Sequence, residues 1–99
     1  MAREPDMAIT VELPRALQPY AHGESVVVLQ RPCASVAEAL TALESHWPGV
    51  VDRVLTEQRE VRQHVNVFVD EENIRFLDGL DTRVPPGSTI TILAAVSGG

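Results

Sequence analysis

Along the chain the spacing of apolar positions switches between a two-residue and a helical period, and the switches divide it into elements. In residues 8–13, Ile9, Val11 and Leu13 fall on one face while Thr10 and Glu12 fall on the other. This is the alternation of a half-buried strand, and Pro14 ends it. Residues 15–24 carry Pro19 and Gly23 and are expected to form a connection. Residues 25–30, centred on three valines, predict a second strand. Ser35 and Glu38 then stand at capping-box spacing, and Val36, Ala39, Leu40 and Leu43 follow at helical spacing with Ala37 and Ala42 beside them. The helix is expected to stop before Pro48-Gly49, with residues 50–55 adding one short turn.

The second half returns to the two-residue period. Residues 56–64 are strongly polar and predict an exposed connector, after which Val65, Val67 and Val69 alternate with Asn66 and Phe68 in a third strand. Asp70-Glu71-Glu72-Asn73 predicts a charged turn leading back through a short strand, Ile74-Arg75-Phe76, so that the two pair as a hairpin. Residues 77–84 are expected to be a compact loop, and Pro85-Pro86-Gly87 a turn. The last strand is Thr89-Ile90-Thr91-Ile92-Leu93-Ala94, alternating and rich in β-branched residues.

The smallest arrangement that buries these faces is one main helix lying on one face of a mixed sheet, an α+β architecture. With the first and last strands parallel and adjacent it is the β-grasp, or ubiquitin-like, fold. Residues 1–94 are expected to make a single domain, with residues 1–7 flexible, and residues 95–99 a flexible tail.

That tail is the part with chemistry. Ala95-Val96-Ser97-Gly98-Gly99 offers too little apolar surface to pack back on the body, so it is expected to hang free with the α-carboxylate of Gly99 at its tip. Extended, it reaches at most about 17 Å. Gly98 and Gly99 remove side chains from the tip, so the backbone can enter a narrow channel and a catalyst can approach the last carbonyl.

Composition narrows the setting. The chain has 99 residues, 14 acidic and 8 basic, for a net charge of −6, and all the basic residues are arginine. Such a surface argues against a nucleic-acid partner, because counterion release rewards dense positive charge. No apolar run approaches the roughly 20 residues of a membrane span, and residues 1–7 are too polar and acidic for a signal peptide. Neither a nucleic-acid nor a membrane partner is expected, and the expected compartment is the cytoplasm.

The stretch VNVFVDEENIRFLDGLDTRVPPGSTITILAAVSGG, residues 65–99, resembles the ubiquitin-like sulfur-carrier proteins of the MoaD/ThiS-like group, and within it the CysO branch of a cysteine-forming pathway. The resemblance implies that Gly99 is the reactive residue: its carboxylate is adenylated by an activating enzyme of the ubiquitin-activating type, using ATP. The acyl-adenylate becomes a thiocarboxylate that donates sulfur to a biosynthetic enzyme. Ala95, Val96, Ser97 and Gly98 match the extended tail held by such partners. In the cysteine branch a metalloprotease that trims the tail is a further partner. The carrier itself binds no cofactor and is not an enzyme. This agrees with the lack of a Gly-rich phosphate loop, a Cys-x-x-Cys pair or a paired-histidine spacing. The molybdopterin synthase small subunit, a protein modifier joined through Gly99, and an inert interaction module remain open on the same fold. Ala94 stands where several family members have proline, and residues 1–7 have no obvious counterpart.

Other residues invite different readings. Cys33 precedes the predicted helix, where the macrodipole favours a thiolate, although a lone cysteine is more often a small buried apolar group. His22, His46 and His64 lie far apart in sequence and predict no metal site, and Asp70-Glu71-Glu72 is expected to be a solvated turn. On the face of the sheet away from the helix, alternation places Phe68 beside Leu93, a candidate patch for partner docking.

Overall fold

The computed structural model describes residues 8–94. Its strands are β1 (Ile9–Glu12), β2 (Val26–Leu29), β3 (Val65–Val69), β4 (Glu72–Asn73) and β5 (Thr89–Ala94), in the sheet order β2-β1-β5-β3-β4. β1 and β5 run parallel with Thr10 opposite Thr89, and the other pairings are antiparallel. The β-grasp expectation holds: the first and last strands lie side by side in the middle of the sheet.

One face of the sheet is covered. Ile9 and Val11 of β1, Val65 and Val67 of β3, and Ile90 and Ile92 of β5 point to that side and are essentially inaccessible to water. They pack with Val36, Leu40 and Leu43 of α1 (Val36–Glu44) and with Val50, Val51 and Val54 of α2 (Pro48–Val54) in a single core. Ser35 caps α1 as the spacing predicts. Its hydroxyl accepts the Glu38 N–H at 3.2 Å, and the Glu38 carboxylate accepts the N–H of Ala34 at 2.9 Å, one residue before the cap.

Three local expectations are corrected. The single main helix has a companion, because Pro48 does not merely stop α1: it opens α2 at the first position, where its missing N–H costs nothing and its fixed φ suits a helix. The connection over residues 15–24 contains a 3-10 helix, Arg15–Ala21, that buries Leu17 and Ala21. Ile74–Phe76 is also a 3-10 turn and not a strand. Only Glu72–Asn73 pairs back on β3, so the turn is confined to Asp70-Glu71. Asp70 adopts a left-handed φ of 56° that aspartate tolerates better than most residues. It also grips the start of β5: its N–H donates to the Thr89 carbonyl at 2.7 Å and its carboxylate accepts the Thr89 N–H at 3.1 Å. The acidic turn thus has a structural task.

Candidate functional site

The end of β5 is shaped by where its neighbours stop. Thr89, Ile90 and Thr91 pair with β1 on one side, and Ile90 and Thr91 also pair with β3 on the other, but beyond Thr91 only β3 continues alongside, as far as Val65 opposite Ala94. β1 has already turned away. The Leu13 N–H is spent on the Ser25 carbonyl at 2.8 Å, and Pro14 has no N–H to extend a ladder. The last three residues of β5 therefore overhang β1, and the chain is directed out of the middle of the sheet at Ala94. The predicted reactive and tail-binding residues, Gly99 with Ala95, Val96, Ser97 and Gly98, lie outside the described residues.

On the uncovered face, Leu93 is 47% exposed and Phe68 is half-buried. They are diagonal neighbours and not a direct pair, since Leu93 stands opposite Asn66 and Phe68 opposite Thr91. Diagonal positions on adjacent strands remain within reach of long side chains. The register carries one row across the sheet, Val26, Glu12, Thr91, Phe68 and Asn73. Thr91 Oγ1 donates to Glu12 Oε1 at 3.3 Å, and Asn73 Nδ2 donates to Asn66 Oδ1 at 3.1 Å. Val26 and Val28 are 44% and 46% exposed on the same face, with β1 between them and Leu93 of β5. The sequence did not single them out, although a strand of unbroken valine on an alternating scaffold must expose some of them.

On the covered side, the gap left beside the overhang is an open groove of about 530 Å³. Leu17 and Tyr20 of the 3-10 helix, Arg53 of α2, Arg62 and His64 of the connector, and Ala94 line it. The Arg53 guanidinium lies 4.1 Å from the centroid of the Tyr20 ring. Arg62 donates from Nε and Nη2 to the Asp52 carbonyl at 3.2 and 3.0 Å. No motif in the sequence joins these residues.

Cys33 is buried, and that burial pushes its thiol above the usual range; Arg31 opposes the effect and Glu38 adds to it. A thiolate awaiting a reaction is not what this site holds. Among the described residues no three potential metal ligands gather, and no helix is long and apolar enough to cross a membrane.

Comparison with known proteins agrees with the fold. The ThiS family model matches residues 11–99. The sulfur carrier protein CysO of Mycobacterium tuberculosis is 32% identical over 95 residues, covering 94% of this chain and all of the relative. Small archaeal modifier protein 3 of Haloferax volcanii is 33% identical over 66 residues, 67% of this chain and 71% of that one. A chain in the crystal structure of the Amycolatopsis orientalis BexX/CysO complex superposes with a TM-score of 0.82 at 36% identity, over 92% of this chain and 99% of that one.

Proposed function

The chain belongs to the ThiS family, and from that premise we propose that it is a CysO-like sulfur carrier whose Gly99 carboxylate is the working group. A carboxylate resists nucleophiles. The partner activating enzyme therefore joins it to the α-phosphate of ATP, releasing pyrophosphate and leaving an acyl-adenylate. Sulfide then attacks the acyl carbon, AMP leaves, and a thiocarboxylate remains that donates sulfur to a biosynthetic enzyme, cysteine formation being the favoured destination. The chain is substrate and donor in these steps, and the catalytic groups and the ATP site belong to its partners in the cytoplasm.

The observation that carries this reading is the overhang of β5. Its last paired residue, Ala94, stands five residues before Gly99 in the sequence, so a tail leaving there extends a carboxylate up to about 17 Å from the body. The distance lets the tip react inside a partner while the body docks outside, with Phe68 and Leu93 as the docking residues. The match of the family model through Gly99 supports the same assignment.

Incubation with the activating enzyme, ATP and sulfide should raise the intact mass by about 16 Da, one oxygen replaced by sulfur. An unchanged mass with an enzyme active on its own carrier would refute the proposal. A second reading, a protein modifier, is favoured by the likeness to small archaeal modifier protein 3. It predicts covalent adducts through Gly99 on lysines of other proteins.

A further inference from the structure

The groove behind the end of β5 concentrates positive charge in a chain whose net charge is −6. The two arginines that line it are held by neutral groups. Arg53 rests on the Tyr20 ring, and Arg62 is fixed by the carbonyl of Asp52 and not by its carboxylate. Among the described residues the one ion pair joins Arg59 to Glu44, and the groove itself has no acidic lining residue. Neither guanidinium is ion-paired, although on their other side both line a pocket that includes Asp52 and Glu57, and their long side chains are already positioned, so less rotational freedom remains to be lost when an anion binds from the groove. A planar fork held in this way suits a carboxylate, which it can grip through two parallel hydrogen bonds.

We propose that this groove docks carboxylate side chains on the protein that receives the tail, an acidic rim at the mouth of its channel. The proposal rests on the carrier reading above. Distance decides against the nucleotide as occupant: the groove lies beside Ala94, whereas the reacting carboxylate is five residues further along the sequence, about 17 Å away when extended. The arginines therefore meet the entrance of the channel and not the phosphates at its end. Charge also explains how the body is oriented. An acidic rim repels most of a surface with 14 carboxylates and attracts the two guanidiniums beside Ala94, which favours productive encounters over misaligned ones.

The test measures affinity for the activating enzyme between about 50 and 300 mM salt, a range over which surface charge is progressively screened. Wild type, Arg53→Glu/Arg62→Glu and the gentler Arg53→Gln/Arg62→Gln are compared, each with a melting curve. The reversed pair should bind about 30-fold more weakly at low salt, the glutamine pair about 5-fold, and both should show less salt dependence than wild type. Replacing rim carboxylates of the enzyme by arginine should restore binding to the reversed pair. The glutamine pair keeps the test usable where reversal disturbs folding. If wild type gains sulfur yet the folded variants bind within twofold of it, the groove assignment is wrong and the carrier reading stands. If wild type neither binds nor gains sulfur, both fall. Binding of inorganic phosphate at the groove with unchanged enzyme affinity would also overturn the proposal.

Discussion

Two surfaces flank the end of β5 and are assembled in opposite ways. The outer patch takes Phe68 and Leu93 from two paired strands, and its residues share a face because the pleat repeats every second position. The groove on the covered side takes Tyr20, Arg53, Arg62, His64 and Ala94 from a 3-10 helix, a helix, a connector and a strand. The first surface follows from a local period, whereas the second exists only once four segments have packed. As the proposed docking surfaces they would also act through different physics. Burial of apolar side chains contributes contact energy that salt hardly affects, while arginines at an open rim contribute orientation and encounter rate that salt screens.

The largest effect expected is on the proposed reactive group. Removing Gly98 and Gly99 should abolish adenylation, read as ATP-dependent pyrophosphate exchange, while much of the docking affinity of the body persists. Loss of docking to the same degree would place the recognition energy in the tail and remove the distinction between the surfaces and the tip.

Next comes a contrast between neighbours in one strand. Ile92 is fully buried and Leu93 is 47% exposed. Ile92→Ala should cost about 2 to 5 kcal/mol in denaturant unfolding. Leu93→Ala should stay within about 0.5 kcal/mol of wild type. Equal losses would mean that the outer face is covered in solution.

Docking variants then sharpen the comparison. At full burial against a partner, Phe68 and Leu93 contribute about 1.5 to 3 kcal/mol each. Phe68→Ser or Leu93→Ser should therefore weaken binding to the activating enzyme by about one to two decades, at low and high salt alike. A loss at Leu93 that disappears at high salt would erase the division between apolar and charged surfaces.

The smallest effects belong to residues remote from both. Ser35→Ala removes the cap of α1 and should lower stability by about 1 kcal/mol with docking unchanged. At pH 8 native Cys33 should alkylate more slowly than the unfolded chain, because burial raises its pKa and leaves less thiolate. The sign follows from the direction of the shift: the difference in thiolate narrows as the pH rises past the unfolded value and is lost above the raised native one.

How far each element was legible follows from the range of the force that makes it. The inner and outer faces of β1, β3 and β5 were readable because burial imposes a strict two-residue period. The cap at Ser35 was readable because it is a contact over three residues. Pro48 misled because the same residue stops one helix and starts another, and only the apolar spacing of Val50, Val51 and Val54 against a core decides that a second helix follows. Ile74-Arg75-Phe76 misled because a short apolar segment suits a strand or a turn equally. The chain leaves the ladder at Ile74 to bury that one side chain, while Phe76 stays 81% exposed.

By itself the sequence determined the order of the strands along the chain, the faces they bury, the cap of the first helix and a tip stripped to two glycines. These depend on neighbours within a few residues, where steric limits and the pleat leave few choices. Tertiary structure alone decided that β5 outruns β1, because the two strands start at positions about 80 residues apart and their register is set by packing across the sheet. It also decided that Arg53 and Arg62 meet beside Ala94. Charges on an exposed surface carry no period, and only the folding of α2 and the connector around the end of the strand brings them to one place.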